Sequence, residues 1–180
     1  MARDKWKDCK IIIGSPNMAD EDKIEISIHG EKENDIQKVM ENAYYNALNF
    51  CTDAQNITED SQMVLYSLSC ELFFKAIIIK TQNRMVRGHD LHELFFELNE
   101  NEQNYLIDEY LKMEINTDDF NDEIIDEILD EFENNLAINA RLFEVIRYKN
   151  EYCTIVYMKY FLVFLTNSLR RLCDYLEIGT

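Results

Sequence analysis

Glu71, Lys75, Arg84, His89 and His92 lie close together in the chain and carry most of its chemical potential. Imidazole is the side chain that both gives and takes protons near neutral pH. Guanidinium binds phosphate through a planar fork. Arg84 and His89 stand in an Arg-x(4)-His spacing, which pairs a cation with an acid/base group. The plain reading is a chance spacing within a connection between helices. Glu71 and Lys75 are four residues apart, so on a helix they share a face. Lys75, Lys80, Arg84 and Arg87 gather near the end of one segment, and Arg147 and Lys149 add to them if the fold brings the two regions together. Lys75, Arg84, Arg87 and Lys149 are then candidate phosphate-binding residues. The alternative is a scatter of solvated cations. His89 and His92 have neither a nearby cysteine nor the four-residue helical spacing of a zinc pair, so no metal and no cofactor is expected.

The rest of the charge runs the other way. With 35 acidic against 18 basic residues, the net charge is -17. Such a field repels phosphate backbones at long range and disfavours a general nucleic-acid coat protein. No Lys or Arg occurs between Glu114 and Arg141, while Asp118, Asp119, Asp122, Glu123, Asp126, Glu127, Asp130, Glu131 and Glu133 crowd that stretch. It lacks the glycine and spacing of a calcium loop. It reads as a solvated helix face or as a docking surface for a basic partner.

These groups must be positioned by helices. The chain has only 4 Gly and 1 Pro, too few for a turn-rich β fold. Two short strands are predicted first, Lys10–Ile13 and Ile24–Ile28, on either side of a Gly-Ser-Pro-Asn turn. From about Asn34 the apolar period is helical. Ile36, Val39, Met40, Ala43, Tyr44, Ala47 and Phe50 line one helix. Val64, Leu65, Leu68, Leu72, Phe73, Ala76, Ile77 and Ile79 mark a second, ending near Gln82. Arg84 to His89 is a connection. Asp90 is an expected N-cap, with Glu93 in the capping-box position. Further helices are predicted through Leu94–Leu98, Asn99–Leu111, Asp118–Leu136 with its apolar side at Ile124, Ile125, Ile128, Leu129 and Phe132, and Thr154–Leu176. The last is apolar nearly all round until Thr166, which predicts a central helix or a dimer interface. The expected fold is all-α: an antiparallel bundle of five or six helices (34–180) behind an N-terminal extension with a small β-ribbon (1–33). Cys51, Cys70, Cys153 and Cys173 sit at apolar helix positions and read as free core thiols of a reducing compartment. The N-terminus carries no apolar leader, and the run from Tyr152 to Leu165 is too short and broken to span a bilayer. A cytoplasmic protein without membrane association is expected.

Three segments carry a resemblance. Glu71-Leu72-Phe73-Phe74-Lys75-Ala76 is similar to a Glu-Leu-x-x-Lys-Ala pattern of the HEPN superfamily. Gly88-His89-Asp90-Leu91 resembles the family's Gly-His-Asp-Leu at the following helix start. Phe143-Glu144-Val145-Ile146-Arg147-Tyr148-Lys149-Asn150-Glu151 is similar to its Phe-x-x-x-Arg-Tyr-x-x-Glu. The order and spacing agree, from about Asp35 to Leu176. The resemblance implies an antiparallel helical bundle that forms homodimers. It also implies a link to RNA cleavage, prokaryotic defence and toxin–antitoxin pairs. Many members cut RNA without metal through Arg-x(4–6)-His. Such chemistry needs an acid/base group near neutral pH and a cation on the phosphate.

Arg147 stands at the arginine position of that motif, but Tyr152 and Cys153 stand where the histidine is expected, and no histidine follows His92. A phenol with a reference pKa of about 10 is a poor base at neutral pH. The reading is therefore a binding protein of a defence or toxin–antitoxin system, partnered by a cognate antitoxin, another defence subunit, or RNA. Two alternatives stand beside it. One is an active endoribonuclease using Arg147 with His89 or Tyr152. The other is a nucleotide-binding sensor on the 75–87 cations. The resemblance also suggests a structural polar network of Glu71, Lys75, His89 and Arg147 between packed helices. The plain alternative is an ordinary exposed i,i+4 pair.

Overall fold

Twelve of the residues along Glu59–Gln82 are buried, on all sides of that helix, and this explains its place in the fold. Phe73, Phe74, Ile77 and Ile78 are all fully enclosed although they point in different directions around the axis. A helix without a polar face has to be surrounded by others. In this computed structural model residues 9–13, 24–28, 34–57, 59–114, 122–142 and 158–179 are described. Helix α1 is Asn34–Ala54, α2 Glu59–Gln82, α3 Leu91–Phe96, α4 Glu100–Glu114, α5 Asp122–Asn139 and α6 Lys159–Tyr175. The body they form, Ile36–Thr180, is all-α among its described residues. The preceding unit, Met1–Asp35, contains β1 (Cys9–Ile13) and β2 (Ile24–Ile28). These pair antiparallel, with Cys9 opposite Ile28 and Ile13 opposite Ile24.

α1 packs its Met40, Ala43, Tyr44, Ala47, Cys51 and Ala54 stripe into the core. Ser69 Oγ donates to the Ala47 carbonyl at 2.8 Å, and Gln62 Nε2 donates to the Ala54 carbonyl at 2.8 Å. Partners that fall along one helix as they rise along the other make α1 and α2 antiparallel. On α2, Cys70 Sγ lies 3.1 Å from Thr166 Oγ1 of α6, so the two helices meet through small side chains. Phe95, Tyr110, Phe132, Phe161 and Phe164 join α3, α4, α5 and α6 in a ring cluster with edge-on and tilted contacts.

Three features depart from the sequence expectation. Among the described residues the helix enclosed on every side is α2; α6 buries Phe161, Leu162, Phe164 and Leu165 before Thr166 but leaves Tyr160 largely in water, and residues 154–157 of the expected last helix lie outside the described residues. Among the described residues one helix, Ser61–Gln82, is long and apolar enough to cross a membrane, and 67% of its most apolar window is buried inside the fold. On α5, Phe132 is buried, Ile125, Ile128 and Leu129 are half-buried with Ile128 packed against the core, and Ile124 alone of the expected apolar side is exposed. Cys51, Cys70 and Cys173 are free and buried, while Cys153 lies outside the described residues.

α6 ends in a Schellman motif. Ile178 N–H donates to the Cys173 carbonyl and Glu177 N–H to the Asp174 carbonyl, with Glu177 at φ 55. The chain then turns through Gly179 at φ 87, where an added Cβ would sit 2.5 Å from the Tyr44 ring. The glycine is needed twice over, for its dihedral and for its lack of bulk.

Candidate functional site: a buried glutamate at a helix corner

Glu71 sits mid-way along α2 and is only 5% exposed. A buried carboxylate must be paired or it will take up a proton. Glu71 Oε1 is paired twice. Lys75 Nζ, one turn on, donates to it at 2.6 Å, and His89 Nδ1 donates to it at 2.9 Å. The two donors differ in setting: the Lys75 side chain is 18% exposed and that of His89 56%. Oε2 is buried and has no hydrogen-bond partner among the described residues. The i,i+4 pair is therefore no surface ornament, and three of the four residues of the expected polar network meet on one oxygen.

The corner that presents His89 is built by its neighbours. α2 stops at Asn83, whose φ of 49 suits asparagine better than most residues. Gly88 takes φ 105, a conformation open to glycine at little cost. Asp90 caps α3, with Oδ1 accepting from the backbone N–H of His92 and Glu93, both at 3.1 Å. Its other oxygen accepts from Arg141 Nε at 3.0 Å, and Leu91 N–H donates to the Ala140 carbonyl at 2.9 Å. Asp90 thus ties the start of α3 to the end of α5. Sequence reasoning placed the cap but missed Arg141, whose separation in the chain leaves no local signal.

The other candidates disperse. Arg84 forms an ion pair with Glu97 and donates from Nε to Gln82 Oε1 at 2.7 Å. With Lys75 held by Glu71, two of the expected phosphate-binding cations already face carboxylates. Lys80 and Arg87 are exposed. His92 leans edge-on against Phe96 and lies 3.6 Å from Glu133, so the two histidines serve different partners. Among the described residues no group of His, Cys, Asp or Glu gathers to hold a metal. Arg147, Lys149 and Tyr152 lie outside the described residues, and so does the fourth member of the polar network. The acidic face of α5 is solvated: Glu123, Asp126, Glu127, Asp130, Glu131 and Glu133 are all exposed.

Burial governs the enclosed thiols and phenols. It pushes the Cys70 thiol up to about 12, and raises Cys51 and Cys173 as well. Tyr44 rises to about 12 through burial and then through its hydrogen bond to Asp174. Tyr110 is also raised to about 12 by burial. None of these is poised for reaction near neutral pH.

No protein-family model, curated protein or solved structure matches the chain.

Proposed function

We propose that the chain is a HEPN-like protein of a prokaryotic defence or toxin–antitoxin system, and that it acts by binding a protein or RNA partner. In this reading its helices form an antiparallel bundle with a short N-terminal β-ribbon, and it works as a homodimer in the cytoplasm. What carries the reading is the state of His89. Its Nδ1 is committed to a buried carboxylate that also neutralises Lys75. This is the wiring of a helix corner, and His92, the next imidazole, faces Glu133 instead. The test is incubation of the purified chain with mixed-sequence RNA in the presence of a chelator. The expected result is binding at low salt without cleavage. Cleavage lost in both Arg147→Ala and His89→Ala would replace this reading with the next one.

One observation favours a second reading, a metal-independent endoribonuclease using Arg147 with His89 or Tyr152. A carboxylate on Nδ1 is also how an imidazole is oriented for acid/base work. The His89 side chain is more than half exposed, within reach of a substrate. Under that reading Glu71→Gln lowers the cleavage rate while leaving RNA affinity unchanged.

A further inference from the structure

The early residues of α4 share a cleft with the end of α6, and its later residues share a second cleft with the beginning of α6. The two helices are therefore antiparallel, and the clefts, of about 490 and 460 Å³, form one seam along them. Large side chains remain in water at both ends. Tyr175 is 79% exposed at one end, and Tyr160 is 88% and Met113 44% exposed at the other. Between the two tyrosines α6 rises about 22 Å. Tyrosine, methionine and arginine are the residue types that protein–protein contacts favour.

The seam carries both signs of charge in a chain whose net charge is -17. Asp108 is exposed at the Tyr175 cleft, which no Lys or Arg lines. Lys112 and Arg171 belong to the Tyr160 cleft. They share one carboxylate: Arg171 Nη2 donates to Glu109 Oε2 at 2.8 Å, and Lys112 Nζ to Oε1 at 3.0 Å. Two cations on one carboxylate leave a positive surplus, unlike Arg84, which meets Glu97 one to one. Both side chains are more than half exposed, so they keep donors for a further acceptor.

We propose that two copies of this chain pair through the seam, an inference that rests on the homodimer reading above and gives it an interface. A twofold axis across the middle of the seam lays one copy antiparallel on the other. The cationic end of each copy then covers the acidic end of its partner, so Arg171 approaches the partner's Asp108, once in each direction. Two chains of net charge -17 repel, and a face of one sign, such as the solvated acidic side of α5, would add to that repulsion. A face with opposite signs at its two ends complements itself under a twofold. Tyr160 and Met113 of one copy lie toward the Tyr175 end of the other, and their burial supplies the apolar part of the contact.

Sedimentation equilibrium of the full chain at about 0.15 M ionic strength reads the association. A dimer is expected. Arg171→Asp and Asp108→Arg should each weaken it about tenfold or more, since each sets like charges together across the axis. Asp108→Arg is the sharper case: it lowers the net negative charge, so general repulsion alone predicts tighter pairing. Mixing the two variants should restore pairing, because every such contact in the mixed pair joins opposite signs. Tyr160→Ala should weaken it several-fold. A dimer indifferent to these changes, or a mixture that stays dissociated, overturns the seam and leaves the homodimer reading standing. A monomer at every concentration overturns both.

Discussion

Removing the carboxylate of Glu71 should destabilise the protein far more than an i,i+4 surface pair would. In the native state one oxygen takes Lys75 at 2.6 Å and His89 at 2.9 Å. Breaking a fully buried ion pair by deleting one partner costs about 3–5 kcal/mol. That figure must be discounted here, since Lys75 is 18% exposed and His89 56%, so both can regain water. For Glu71→Ala a loss of about 2 kcal/mol remains, from lost charge-assisted hydrogen bonds and a void beside α2. For a chain of this length that lowers Tm by about 4–8 °C. Replacing both charges is a different perturbation. In Glu71→Leu with Lys75→Leu only the half-exposed His89 loses a partner, which water can replace, and stability should return to within about 1 kcal/mol of wild type. Urea unfolding followed by circular dichroism gives both numbers. A Glu71→Ala chain within about 0.5 kcal/mol of wild type refutes the reasoning, because such a value belongs to a solvated pair.

Asp90→Ala removes both the α3 cap and the acceptor of Arg141, and should cost about 1–2 kcal/mol by the same measurement; Asp90→Asn should retain most of the cap. Gly179→Ala forces a side chain into a positive φ and against Tyr44, with an expected loss of about 1 kcal/mol or more in thermal unfolding. Alkali should destabilise the fold. Burial raises Tyr44, Cys70 and Tyr110 to about 12, so the native state holds these protons while the unfolded chain releases them from about pH 9. Their contribution is complete below that pH and is lost as pH rises toward 12, which a urea midpoint series across that window will register. Cys51, Cys70 and Cys173 should resist a thiol reagent at neutral pH until the chain unfolds, as tryptic mapping of the labelled sites would reveal.

Much of the architecture is written locally. The shortage of glycine and proline, the 3.6-residue apolar period of α1 and α4 and the long apolar run of α2 identify those helices, and Asp90 announces the start of α3 before any contact is known. Periodicity reports which residues are apolar, though, and not what covers them. This is why α2 rather than α6 is enclosed on every side, and why Ile124, at the start of α5, stays exposed while Phe132 is buried. The same limit applies to the site. Spacing placed Glu71 and Lys75 on one face, but only chain folding brings His89 to the same oxygen. It also assigns Arg84 to Glu97 and Arg141 to Asp90.

By itself the sequence determined the helical class, the strongly acidic surface and the identities of the groups available for chemistry, because these follow from composition and from interactions between near neighbours along the chain. Tertiary structure alone decided which charges are neutralised and which are left wanting. Glu71 and Glu102 are both buried helical glutamates with one oxygen left without a hydrogen-bond partner among the described residues, yet the other oxygen of Glu71 is met by two donors, Lys75 and His89. The physical reason is desolvation: a carboxylate acquires its energetic weight only when other helices remove its water, and no local pattern records which helices will do so.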